Sequence, residues 1–208
     1  LRKITSSSSK HRKLDEATFV LLLGQTNYAL IFENMCEKLG GSKSCELAVL
    51  AACARALAMI LQTCHWQTMG QQFYADHELF SRLYGTADGN VDVLAEKAVG
   101  TSGDSSIVSC VTHAELVQDA FEVMCDGASA TGASAEQLAS MALKAEVTFM
   151  AFCASAADCM KESGTLTRGV DNMLAGIEDE HESSCYLLQQ RLKKSALVLS
   201  FVAIFQFM

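Results

Sequence analysis

His65 and His77 are two of only five histidines in this chain, twelve residues apart in HWQTMGQQFYADHELF, and His65 stands beside the sole tryptophan, Trp66. Further on, in VDVLAEKAV, Asp92 and Glu96 are four apart, so a helix places both on one face. Two imidazoles and two carboxylates form a borderline-to-hard ligand set, suited to iron and to zinc or manganese. Taken singly, each histidine also fits a satisfied core or interface position, and Trp66 reads as packing. The two acids at this spacing are what make a metal site worth testing.

The elements needed to position these groups follow from composition and punctuation. The chain has 208 residues, half of them apolar, 19% charged, and no proline. That length suits one domain able to bury roughly 70% of its unfolded-state surface. Frequent alanine and few β-branched clusters favour packed helices, because those side chains lose least freedom there. Glycines supply the stops, predicting helices over about 15–39, 44–70, 72–99, 112–126, 134–163 and 166–194. Thr112 with Glu115, and Ser134 with Gln137, have the form of capping boxes. All but 112–126 are long, about seven turns each. Long helices with short connections mean a four-helix bundle, and the stretch 99–134 is long enough to require a crossover. The expected organisation is a basic tail (1–14), an extra helix (15–41), the bundle (42–194) and an apolar tail (195–208).

Geometry then constrains the site. If 72–99 is one helix, His77 and Asp92 lie about 22 Å apart along its axis. One ion cannot bridge them within one chain. A second copy running antiparallel about a two-fold axis brings Asp92 and Glu96 to the first copy's histidines, twice per dimer. If instead GTADGN (85–90), with its two glycines, turns the chain, the four groups face each other inside one subunit.

With the net charge at −8, the body is not an obvious nucleic-acid binder. The first fourteen residues, however, carry Arg2, Lys3, Lys10, Arg12 and Lys13 and no acid. A solvated tail is the plain reading; sequence-blind contact with DNA phosphates is the functional one. Nine cysteines with no CxxC pair, several inside apolar helical runs (Cys53, Cys64, Cys153, Cys159), predict buried thiols in a reducing compartment rather than a disulfide framework. The apolar runs 47–61 and 195–208 are each shorter than a spanning helix needs. Beginning at Leu1 with a Ser- and Arg-containing start, the sequence is also compatible with an organelle protein freed of its transit peptide. Glu178 and His181 form the ExxH pair of di-iron bundles, but helix 72–99 offers no second ExxH. They read as part of an exposed acidic face, as His113 reads as solvent-facing after a helix cap. Phosphate loops, hydride chemistry and nucleophilic catalysis find no motif.

HWQTMGQQFYADHELFSRLY…VDVLAEKAV resembles the signature of Dps proteins, small ferritin-like iron-oxidising proteins that protect DNA. DNMLAGIEDEHESSCYLL (171–188) is similar to that family's acidic last-helix stretch, with Tyr186 where an aromatic is usual. The resemblance spans about 44 to 194. It implies an all-α, ferritin-like bundle assembled as a hollow homododecamer in the cytoplasm or nucleoid. It also implies a ferroxidase site of His65 and His77 from one subunit and Asp92 and Glu96 from its mate. Ferrous iron bound there would pass electrons to hydrogen peroxide or oxygen, and the ferric product would be stored. Ser81 stands where many members have a further acid, and the helix at 15–39 and the tail at 195–208 look like additions. A ferritin-like scaffold or assembly subunit without the chemistry is the alternative expectation.

Overall fold

A computed structural model describes residues 26–41 and 44–205 of the chain, with side chains to residue 193. The basic tail, the first part of the predicted 15–39 helix and the side chains of the apolar tail lie outside the described residues. Six α-helices are present among them: α1 (Tyr28–Glu37), α2 (Cys45–Gln67), α3 (Phe73–Ser102), α4 (Cys110–Cys125), α5 (Ala135–Glu162) and α6 (Arg168–Phe205). No strand occurs there.

Helix α2 is apolar on all sides, and a helix of that kind has to be surrounded. Leu47, Leu50, Leu57, Ile60 and Leu61 are all fully buried. Its one cation, Arg55, reaches out to Asp88 on α3 in a solvent-facing ion pair. Helix α3 instead carries a single apolar stripe at three- and four-residue spacing: Phe80, Leu83, Ala87, Val91, Leu94 and Ala98. The matching stripe on α6 is Val170, Leu174, Ile177, His181, Cys185 and Leu188. With α5 these three helices form the bundle. Contacts near the helix ends show the directions: Cys64 of α2 meets Leu138 of α5, and Asp76 of α3 meets Arg191 of α6. Both pairs of neighbours therefore run antiparallel.

The crossover between α3 and α5 carries a short 3-10 turn (Ser105–Val108) and α4. Helix α1 lies against α5, where Tyr28 and Phe32 pack on Phe152 with ring centroids 5.8 and 6.0 Å apart. Two helices, α2 and α5, are long and apolar enough to cross a bilayer by length and composition, and each buries most of that surface inside the bundle.

Several boundaries differ from those expected. Gly100 does not end α3; the helix continues to Ser102 and stops at Gly103, whose φ of +75° closes the last turn. Residues 85–90 stay helical, so no turn brings His77 toward Asp92. The predicted capping box of Thr112 and Glu115 is replaced by Ser109, whose side chain accepts from the Thr112 N–H. The Ser134–Gln137 box forms with both reciprocal hydrogen bonds. Helix α6 continues through residue 194 as one helix to Phe205.

Candidate metal centre

The two histidines face each other across the turn that joins α2 to α3. The turn is tight because Gly70 adopts φ +80°, a conformation that costs a side-chain-bearing residue energy. His65 comes from the last turn of α2 and His77 from the second turn of α3. Their rings stack with centroids 3.6 Å apart and planes 26° from parallel. Phe73 stacks on the far side of His77 at 5.0 Å, and Tyr84 meets His65 edge-on at 5.3 Å.

The hydrogen bonds around the rings are reciprocal. His65 Nδ1 lies 2.9 Å from the main-chain oxygen of His77, and His77 Nδ1 lies 3.3 Å from that of His65. A carbonyl oxygen only accepts, so each Nδ1 is the donor. With Nδ1 donating, Nε2 is the ring nitrogen left to meet another partner. Committing one ring nitrogen to a carbonyl is how proteins fix the tautomer of a metal-binding imidazole. Thr68, nearly buried, donates to the His65 carbonyl at 2.9 Å and holds the turn closed. Cys64, next to His65, is not a competing ligand: burial pushes its thiol up to about 12, and it points at the Leu138 carbonyl.

Asp92 and Glu96 are exposed on α3, one turn apart. Because α3 is unbroken from Phe73 to Ser102, Asp92 sits about 22 Å and Glu96 about 28 Å along the axis from His77. The structure thus brings the histidines together and leaves the acids at the other end of the same helix. No group of three or more His, Cys, Asp or Glu converges among the described residues.

No family model matches the sequence, and no curated protein does either. Among solved structures, the crystal structure of a Dps protein from Bacillus brevis matches with a TM-score of 0.59 at 25% identity, over 78% of this chain and 97% of that one. The chain shares the ferritin-like bundle fold of that Dps protein.

Within this Dps-like bundle, the sequence reading missed two polar features. The first is a clamp that holds the start of α3. Arg191 of α6 donates from Nε and Nη2 to the two carboxylate oxygens of Asp76, at 2.6 and 2.9 Å, with both side chains almost buried. Asp76 adjoins His77, so this fork fixes the turn of helix that carries the second imidazole. The Asp76 carboxylate also raises the Arg191 guanidinium further above its ordinary value.

The second is a correction. His181 is not on an exposed acidic face: it is fully buried, and its Nδ1 lies 2.5 Å from Oε2 of Glu146, itself fully buried. Asn90 of α3 approaches His181 Nε2 at 3.2 Å and donates to Glu180 at 3.3 Å. The acids around His181 suggested a wet face, but its spacing from Leu174, Ile177 and Leu188 puts it on the apolar stripe. Glu178 is partly buried, and burial first, then Glu182 and Asp171, raises its carboxyl above the ordinary value. His113 is likewise partly buried, and desolvation with Arg55 nearby lowers its imidazole. Trp66, read as packing, is 66% exposed, beside exposed Met69, Phe73 and Tyr74. The candidate DNA contacts Arg2, Lys3, Lys10, Arg12 and Lys13 lie outside the described residues.

Proposed function

We propose that this Dps-like chain binds ferrous iron between two copies of itself and oxidises it. His65 and His77 of one copy supply neutral Nε2 donors; Asp92 and Glu96 of a two-fold mate supply the carboxylates. Two ferrous ions give two electrons to one hydrogen peroxide, which takes up two protons and leaves as two waters. Oxygen is the alternative acceptor. The acids provide negative charge that stabilises the ferric product over the ferrous reactant.

The observation that carries this reading is the paired imidazole arrangement, with both Nδ1 atoms spent on main-chain carbonyls. The straightness of α3 supports a shared site, since the acids can reach an imidazole pair only from another molecule. Apolar side chains lie open near the imidazoles: Met59, Trp66, Met69, Phe73 and Tyr74 are all exposed on α2, α3 and the turn between them. Storage in a closed shell, zinc or manganese at the same ligands, and DNA contact through the basic tail belong to the same proposal at greater distance.

Complementation between inactive variants tests the shared site. His65→Ala and Asp92→Ala proteins should each oxidise iron poorly. When the two are unfolded together and reassembled, each mixed dimer holds one wholly intact site, and peroxide-driven oxidation should return to a substantial fraction of the parent rate. A site confined to one chain gives no recovery on mixing. Unimpaired oxidation in both single variants would instead favour a ferritin-like scaffold without this chemistry.

A further inference from the structure

Helix α6 outruns the bundle it helps to build. Its Arg191 meets Asp76 in the first turn of α3 and lies 3.8 Å from Glu136 at the start of α5. Cys64 in the last turn of α2 meets Leu138 in the first turn of α5. The other three bundle helices therefore begin or end near the level of Arg191. Helix α6 does not stop there, but continues as one helix to Phe205. Measured from the Asp76 contact, α3 reaches about 5 Å further and α6 about 21 Å, at 1.5 Å per residue. Residues 195–205 thus form an overhang about 16 Å long, beyond the ends of α2, α3 and α5.

The overhang reads SALVLSFVAIF, without a charged residue, and Ser195 and Ser200 are its only polar positions. On a helix these two fall about 140° apart, so no face is polar along its length. A helix that is apolar all round needs an apolar surrounding on every side, whereas a single neighbouring helix covers only a stripe. Immediately before the overhang the chain is basic: Lys193 is exposed, and Lys194 follows it. Two ammonium groups at the foot of an uncharged helix complement phosphate headgroups, and their long stems let the charge stay in water. The length agrees as well, since the hydrocarbon of one leaflet is about 15 Å deep.

We propose that the overhanging end of α6 inserts into a phospholipid leaflet, holding the bundle against a membrane with Lys193 and Lys194 at headgroup level. Apolar burial supplies the binding, and the two lysines supply a preference for anionic lipid. Neither the histidine pair nor Asp92 and Glu96 take part, so this proposal and the iron reading fail separately.

Flotation of the full chain with vesicles tests the proposal, in chelator so that iron takes no part. The protein is mixed with phosphatidylcholine vesicles, with or without phosphatidylglycerol, and centrifuged through a density step. The parent should float with both kinds and more completely with the anionic one. High salt should remove that difference and leave the rest. Leu199→Glu with Val202→Glu puts two acids in the overhang, clear of the bundle. It should cut vesicle binding by at least about a hundredfold while melting like the parent. Lys193→Glu with Lys194→Glu should lose the preference for anionic vesicles. A parent that stays dense with both kinds, or that floats equally well with the two glutamates at 199 and 202, would overturn the insertion. So would a parent that self-associates through the overhang and stays off vesicles, because a second copy would then be its cover.

Discussion

Glu146 and His181 put a carboxylate and an imidazole inside a bundle core with no access to water, and Oε1 of Glu146 has no hydrogen-bond partner there. A buried pair of this kind is costly to break from one side, because the remaining group stays desolvated and unpaired. Glu146→Ala should lower unfolding free energy by about 3–5 kcal/mol in denaturant melts. Replacing both, as Glu146→Leu with His181→Leu, should recover most of that loss, since no polar group is then stranded. Asn90 keeps its bond to Glu180 in either case. Glu178, one turn earlier, behaves differently. Its folded-state carboxyl is raised, so its favourable contribution is complete at acid pH and disappears as pH rises through the raised value. At neutral pH the charged form therefore works against folding. Glu178→Gln should melt higher than the parent at pH 7, with the gap closing as pH falls toward 3.

At the scale of elements, α3 is the part that decides whether the site is shared. Gly85 and Gly89 lie on its exposed side, and a Cβ at either would meet open space within one chain. Each glycine weakens the isolated helix by about 1 kcal/mol relative to alanine. Gly85→Ala with Gly89→Ala should thus stabilise the monomer by about 1–2 kcal/mol, read by thermal melts at high dilution. If that face meets a second copy closely, the same change weakens self-association, read by sedimentation. These glycines also show what the sequence could and could not reveal. A cost of that size leaves a helix intact when Phe80, Leu83, Leu94 and Ala98 anchor its other face, so neither they nor Gly100 mark a break. Gly103 does, because there the backbone turns left-handed. The Ser134–Gln137 box was legible from local chemistry alone. Ser109 was not, because Thr112 offers the same chemistry three residues later and only packing chooses between them. The histidine pair was legible as spacing. The Nδ1-to-carbonyl bonds that define its tautomers depend on how the Gly70 turn folds, and no residue pattern encodes them. Glu146 sits in an apolar run, where a lone acid gives no sign of its partner 35 residues away.

For the whole molecule the open surface around the imidazoles is what matters. Trp66, Met69, Phe73 and Tyr74 are exposed in the single chain, on the turn and helix ends that carry the paired imidazoles. On the proposed shared site, an antiparallel mate would cover them while delivering Asp92 and Glu96, so burial of Trp66 and completion of that site would be one event. Because Trp66 is the only tryptophan, its fluorescence reports that event alone. Emission should lie to the blue in concentrated protein and move red on dilution, following the dissociation seen by sedimentation. A tryptophan central to an interface contributes at least about 2 kcal/mol, so Trp66→Ala should weaken association roughly thirtyfold or more. It should slow ferrous oxidation at low protein concentration and restore it at high concentration, since the histidines themselves are untouched. A Trp66→Ala protein that associates like its parent would place the contact between copies elsewhere, and Asp92 and Glu96 would then have no route to His65 and His77.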